Sequence, residues 1–219
     1  VIGNTGATDF LTSKTADLRG VTPGDLFHIG GAIGVKTLSG DPLFELPTSI
    51  QATQARISVD TTFDTRGAWW AALEKSLPLV EILTTNHLEA HHLTGLSDPV
   101  AAAHYLLATG PRTVAVKLGP DGCYLISPDW EGHVPGFSVT AVDTTGAGDS
   151  FSGALLYGLA RSWPTEQAAT FACAVGALCV QKRGATAGIP QYPQVLTLID
   201  THDRAASWNW SNHESQTPL

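Results

Sequence analysis

Nine consecutive residues, Asp143-Thr144-Thr145-Gly146-Ala147-Gly148-Asp149-Ser150-Phe151, hold the densest chemistry in the chain. Glycines let a backbone come close to a ligand. Amide hydrogens at the start of a helix, with the positive end of its dipole, make a site for an anion. The N–H groups of Gly146, Ala147 and Gly148 would form that cradle. A carboxylate in the same turn, Asp149, would repel a phosphate merely at rest there. It makes sense where a hydroxyl must lose its proton beside a phosphate. Phosphoryl transfer to an alcohol has that demand: one charge-stabilising cradle and one positioned base. For an isolated Gly-Ala-Gly-Asp the competing reading is plain architecture, with Asp149 as a helix cap.

Two other phosphate motifs are excluded. The chain has no G-x-x-x-x-G-K-[ST]. The third glycine of a dinucleotide fingerprint would fall where Phe151 stands.

A second set of residues follows the same logic of chain ends and turns. Asn86-His87-Leu88-Glu89 closes an apolar run over 80–84 and opens a helix over 86–93. A hard cation that keeps its waters needs an oxygen ligand of the Glu89 kind; a first-turn cap is the competing reading. Lys117-Leu118-Gly119-Pro120-Asp121-Gly122 ends another apolar run in a turn. His87 and His91 share a helix face, but Glu89 is not adjacent to His87, so the zinc protease pattern is absent. They read as solvated helix histidines.

The elements that must position these residues alternate. Strands are predicted at Leu26–Ile29, Arg56–Asp60, 80–84, 113–118, Cys123–Ile126 and 137–142. Helices are predicted over 66–77, 86–93, from Asp98-Pro99 onward, after the Gly-rich turn, over 164–181 and over 195–199. In the helix after the turn, Phe151, Ala154, Leu155 and Leu159 share a face. Residues 38–47, with Gly40, Pro42 and Pro47, read as a loop. Trp69 and Trp70 read as helix packing. The alternation implies βαβ units: an α/β, doubly wound, mostly parallel sheet with helices on both faces. Ligands in such sheets bind beyond the carboxyl ends of the strands, where Asp60, Asn86, Gly119 and Asp149 fall.

The 219 residues suffice for one such domain over 1–200, with a polar tail over 201–219 carrying Trp208 and Trp210. Twelve Lys and Arg against twenty Asp and Glu leave a net charge of −8, which disfavours nucleic acid and anionic membrane as partners. The three cysteines form no C-x-x-C, and a reduced cytoplasmic setting is the simplest reading. The chain has no Met and begins at Val1, so an N-terminal portion is expected to be missing.

The run Asp143–Phe151 closely resembles the C-terminal signature of the ribokinase-like (PfkB) carbohydrate kinases. The resemblance covers about 25–199 and is strongest over 80–184. It implies an ATP-dependent kinase that phosphorylates a small sugar or sugar acid, with Asp149 as general base and Gly146, Ala147 and Gly148 as the anion hole. It implies nucleotide contacts from Asn86, Lys117, Gly119, Gly122 and Cys173, and a Mg²⁺ held through water by Glu89. Gln181 to Ala185 would help form an adenine pocket. A K⁺ site, mostly of backbone carbonyls, would draw on Asp143, Thr145, Cys179, Lys182 and Gly184. A homodimer of the full-length protein is one expectation, though the sequence leaves the oligomeric state open.

The chain departs from the family in three ways. The first strand, the Gly-Gly-rich sugar loop and most of the β lid are absent. Gly31 stands where ribose-specific members carry a sugar-contacting Glu, which argues against ribose. Gly188 falls where some members place a cation-binding Ser. A nucleoside or other small-alcohol kinase of the same fold is the alternative, and so is an inactive nucleotide-binding remnant. Residues 1–219 alone are expected to be poorly soluble and inactive.

Overall fold

Strand β1 (Leu26–Ile29) pairs in parallel with β2 (Arg56–Asp60), β2 with β3 (Ile82–Asn86) and β3 with β4 (Thr113–Lys117). Strand β5 (Cys123–Ile126) runs antiparallel beside β4, and β6 (Glu131–Val134) completes a six-stranded sheet in sequence order. The fold is the expected α/β type with a mostly parallel sheet. Four successive residues of β2, β3 and β4 are buried in each strand, so both faces of the sheet are covered. The computed structural model describes residues 10–38, 40–64 and 66–202, apart from the Lys36 side chain. These residues fall into two compact units. The first runs to Gly119 and resumes at Cys123–His133; the second holds Pro120–Gly122 and everything from Val134 on.

In the first unit, α1 (Asp41–Gln51) occupies the stretch expected to be a loop. Pro42 sits in its first turn, where a missing N–H costs nothing. Leu43, Leu46, Pro47 and Ile50 then form a buried i, i+3, i+4, i+7 face. Burial of that face outweighs the hydrogen bond that Pro47 removes.

Helix α2 is shorter than predicted, Trp69–Leu73. The Asp64 carboxylate accepts from the N–H groups of Arg66, Ala68 and Trp69, at 3.0, 2.6 and 3.1 Å, and so sets its late start. Trp69 is buried and its ring stacks on His92 with centroids 4.5 Å apart, in keeping with a packing role. Strand β3 lies two residues later than predicted, because Asn86 both ends it and caps α3 (His87–Thr94). Helix α4 (Pro99–Leu107) starts as expected, with Asp98 accepting from Val100 and Ala101.

In the second unit, α5 (Ala147–Ala160) packs against α6 (Thr165–Cys179), and α7 (Tyr192–Thr201) packs against α6. Gly158 permits the α5–α6 approach: a Cβ there would lie 2.7 Å from the Ala168 Cβ. No strand forms over 137–142, and this corrects the predicted strand-to-helix turn. The backbone N–H groups of Val142 and Asp143 both donate to the Val180 carbonyl, at 2.7 and 3.1 Å, and so are not free for a ladder. Phe137 is buried against the His202 ring, while Val142 is 58% exposed. The Gly-rich turn therefore hangs from the end of α6 rather than from a strand. Among the described residues no helix is long and apolar enough to cross a membrane. Residues 203–219, with Trp208 and Trp210, lie outside the described residues.

Candidate active site

In the second unit the Gly-rich turn becomes the first turn of α5. Gly146 is its N-cap with φ of 81°, a left-handed conformation that favours glycine. Space makes the same demand, since a Cβ at Gly146 would lie 2.4 Å from the Ala185 carbonyl oxygen. The Ala147 N–H donates to the Thr144 carbonyl at 3.2 Å and the Ser150 N–H to Gly146 at 2.9 Å. Helix geometry leaves the N–H groups of Gly148 and Asp149 without an intrahelical acceptor. Asp149 follows Gly148 in this first turn and is exposed. Its side of α5 borders a cleft of about 500 Å³, walled by Tyr157, Phe171, Val175, Tyr192 and Val195.

Asp143 braces the turn. Its Oδ1 accepts from the Thr145 N–H at 3.0 Å and its Oδ2 from the Gly184 N–H at 2.9 Å. The Thr145 N–H, then the Thr145 hydroxyl, the Gly184 N–H and the Arg183 charge hold its carboxyl down at about 2. Asp143, Thr145 and Gly184 are thus brought together. Cys179 is fully buried at the end of α6, and its carbonyl accepts from the Lys182 N–H at 3.4 Å. A Cβ at Gly188 would lie 2.1 Å from that carbonyl, which accounts for glycine at this position. Cys173 is buried within α6.

In the first unit, Asp60, Asn86 and Lys117 end β2, β3 and β4 side by side. The Lys117 ammonium lies 2.8 and 3.0 Å from the two Asp60 carboxylate oxygens. Asn86 Oδ1 accepts from the Glu89 N–H at 2.9 Å, and Glu89 Oε2 from the Asn86 N–H at 3.3 Å. That is a complete capping box, so the architectural reading of this motif holds as well. Glu89 is nevertheless only 5% exposed, and the Thr61 hydroxyl reaches its Oε2 at 2.7 Å.

Gly119 adopts φ of 63° at the turn after β4. Gly122 belongs to the second unit, where a Cβ would lie 2.0 Å from the Val134 carbonyl oxygen. Close passage of the 134–136 backbone is sufficient reason for a glycine there.

The sequence model of the pfkB family carbohydrate kinases matches residues 1–192. The chain belongs to the pfkB family. It is 36% identical over 138 residues to an aminoimidazole riboside kinase of Salmonella typhimurium, covering 61% of this chain and 43% of that protein. The crystal structure of aminoimidazole riboside kinase from Salmonella enterica, complexed with aminoimidazole riboside and an ATP analog, matches 90% of this chain and 69% of that one. Its TM-score is 0.76 at 27% identity. A putative ribokinase II from E. coli, in complex with ATP and Mg²⁺, matches 88% of this chain and 64% of that one, with TM-score 0.75 at 28% identity. The chain spans about half the length of the curated relatives it matches.

Within this pfkB-family chain the donors fit the implied cations in different ways. No three His, Cys, Asp or Glu side chains gather into a cage among the described residues. A lone buried carboxylate such as Glu89 suits a Mg²⁺ that keeps most of its waters. At the proposed K⁺ segments, each Asp143 oxygen accepts one backbone N–H, and the backbone carbonyls of the same segments are further oxygen donors that suit a cation. Sequence reasoning did not single out Thr61 and Thr85. The signal for them is register: Asp60 pairs with Thr84, so Thr61, just past the end of β2, faces Thr85 in β3.

Proposed function

We propose that the chain carries the phosphate-handling part of an ATP-dependent carbohydrate kinase, a partial catalytic domain over 1–200 of a cytoplasmic enzyme. The observation that carries this reading is the exposed Asp149 carboxylate in the first turn of α5, directly after the glycine-bounded N-terminus. A substrate hydroxyl placed between carboxylate and helix end would give its proton to Asp149. Its oxygen would attack the γ-phosphorus as the bond to the bridging oxygen breaks and ADP leaves. Charge on the transferring group would fall to the N–H groups of Gly146, Ala147 and Gly148, with Ala147 turning from Thr144.

A Mg²⁺ held near Glu89 would supply charge neutralisation for the nucleotide phosphates. Glu89 would hold its water shell, and Asn86, Lys117, Gly119, Gly122 and Cys173 would line the path of the nucleotide. K⁺ among the carbonyls of Asp143, Thr145, Cys179, Lys182 and Gly184 would stiffen the turn. Partners would be ATP and a small sugar or sugar acid, with neither nucleic acid nor membrane, and the full-length protein would be a homodimer. A riboside acceptor is the second reading, favoured by the likeness to aminoimidazole riboside kinase.

The test is ADP release by the full-length protein with Mg²⁺ against hexoses, pentoses, sugar acids and ribosides. Acceptor-dependent release supports a kinase and names its class. Nucleotide binding without release for any acceptor would leave a nucleotide-binding remnant.

A further inference from the structure

The surroundings of Glu89 exceed what a helix cap requires. A capping box needs only the reciprocal bonds between Asn86 and Glu89. Here a third group arrives from another strand end. Thr61 Oγ1 lies 2.7 Å from Glu89 Oε2 and 2.8 Å from Thr85 Oγ1. A hydroxyl has one proton, and an ionised carboxylate only accepts. Thr61 therefore donates to Glu89, and Thr85 donates to Thr61 in preference to the Asn86 carbonyl at 3.3 Å. The resulting chain runs one way, from Thr85 through Thr61 to the carboxylate.

This chain has a geometric consequence. Glu89 Oε2 receives two donors, the Thr61 hydroxyl and the Asn86 N–H. Oε1 accepts from no group among the described residues. The carboxylate cannot rotate without breaking the first pair, and Oε1 is not one of the buried side-chain oxygens that lack a partner among the described residues, so it stays open to water or a cation. Thr61 is itself held, since its N–H donates to the Thr84 carbonyl at 3.0 Å.

We infer that Thr61, backed by Thr85, is a positioning residue that fixes the Glu89 carboxylate to receive a hydrated divalent cation through Oε1. The inference rests on the reading of Glu89 as the cation's carboxylate. Partners that orient a ligand in this way typically change metal affinity by about 10–100-fold when removed.

The experiment uses the full-length protein with Mn²⁺ as the probe, its binding in the presence of ADP read by electron paramagnetic resonance. ADP affinity without metal and the melting temperature are measured alongside. Thr61→Val keeps the shape and removes the donor; it should weaken Mn²⁺ binding about tenfold or more and leave metal-free ADP affinity unchanged. Thr61→Ser should restore the wild-type value. Should Thr61→Val fail to fold, Thr61→Ser and Thr85→Val carry the test, with Thr85→Val expected to weaken Mn²⁺ binding and Thr61→Ser to preserve it. Glu89→Gln separates the two levels of the argument. Loss of Mn²⁺ binding in Glu89→Gln with unchanged binding in the threonine-to-valine variants overturns the inference alone. Unchanged binding in Glu89→Gln overturns the reading of Glu89 on which it stands.

Discussion

Lys117, the last residue of β4, reaches past β3 to place its ammonium 2.8 and 3.0 Å from the two carboxylate oxygens of Asp60, the last residue of β2. Their side chains are 13% and 5% exposed, so little solvent screens the pair. The contact straps three strand ends together beside Asn86. Lys117→Met would leave a buried carboxylate without its cation, at an expected cost of about 3–5 kcal/mol. Lys117→Met combined with Asp60→Asn should recover part of that loss. Urea denaturation of the single and double variants checks both values. A Lys117→Met protein as stable as wild type would show that the strap contributes nothing.

Asp149→Asn keeps the shape of the α5 first turn and removes the base. In the full-length protein it is expected to lower kcat by about 10²–10⁴-fold while nucleotide affinity stays near wild type. Steady-state turnover and equilibrium ADP binding measure the two quantities. Wild-type turnover in the variant would remove Asp149 from the chemistry.

Gly146→Ala meets two obstacles together, φ of 81° and the Ala185 carbonyl oxygen 2.4 Å from the new Cβ. Either the 185 backbone moves or the N-cap opens, and both disturb the cradle. A loss of roughly 1–3 kcal/mol is expected from the strain, together with lower turnover. Thermal unfolding and ADP release test the pair, and an unchanged melting temperature would contradict the packing described for Ala185.

Asp143 makes acid stability asymmetric. Its folded carboxyl is held down at about 2 by the Thr145 and Gly184 N–H groups, below the roughly 3.9 of an unfolded aspartate. A depressed folded value gives stability that is fully present above the unfolded value and lost as pH falls toward the folded one. Asp143→Asn should therefore melt below wild type at pH 6, and the gap should close between about pH 4 and pH 2. Melting temperatures across that range decide it; a gap that persists unchanged at pH 2 would mean the carboxylate charge is not what braces the turn.

The Gly-rich turn, the strands at Leu26–Ile29, Arg56–Asp60 and Cys123–Ile126, and the capped helix at Asp98-Pro99 were legible in the sequence. Each depends on local physics: alternating or continuous apolar runs, a carboxylate ahead of proline, glycines at a helix start. Local rules also misled. Pro42 and Pro47 read as loop markers, yet one lies in the first turn of α1 and the other on its buried face. The β-branched run over 137–142 has strand propensity, yet the N–H of its last residue, Val142, donates to the Val180 carbonyl. In both stretches burial and a distant acceptor outweighed propensity.

By itself the sequence determined which turn, cap and acidic residues are present and the alternation of strands and helices over much of the chain, because a turn glycine, a capping Asn or an acidic residue announces itself within a few neighbours. Only the tertiary structure decided which distant groups meet. Thr61 finds Glu89 across 28 positions, Lys117 finds Asp60 across 57, and Gly184 finds Asp143 across 41. Parallel β2, β3 and β4 bring the first two pairs to one set of strand ends, and the end of α6 returns Gly184 to Asp143. No local pattern encodes such meetings, since they follow from the burial of whole elements against one another.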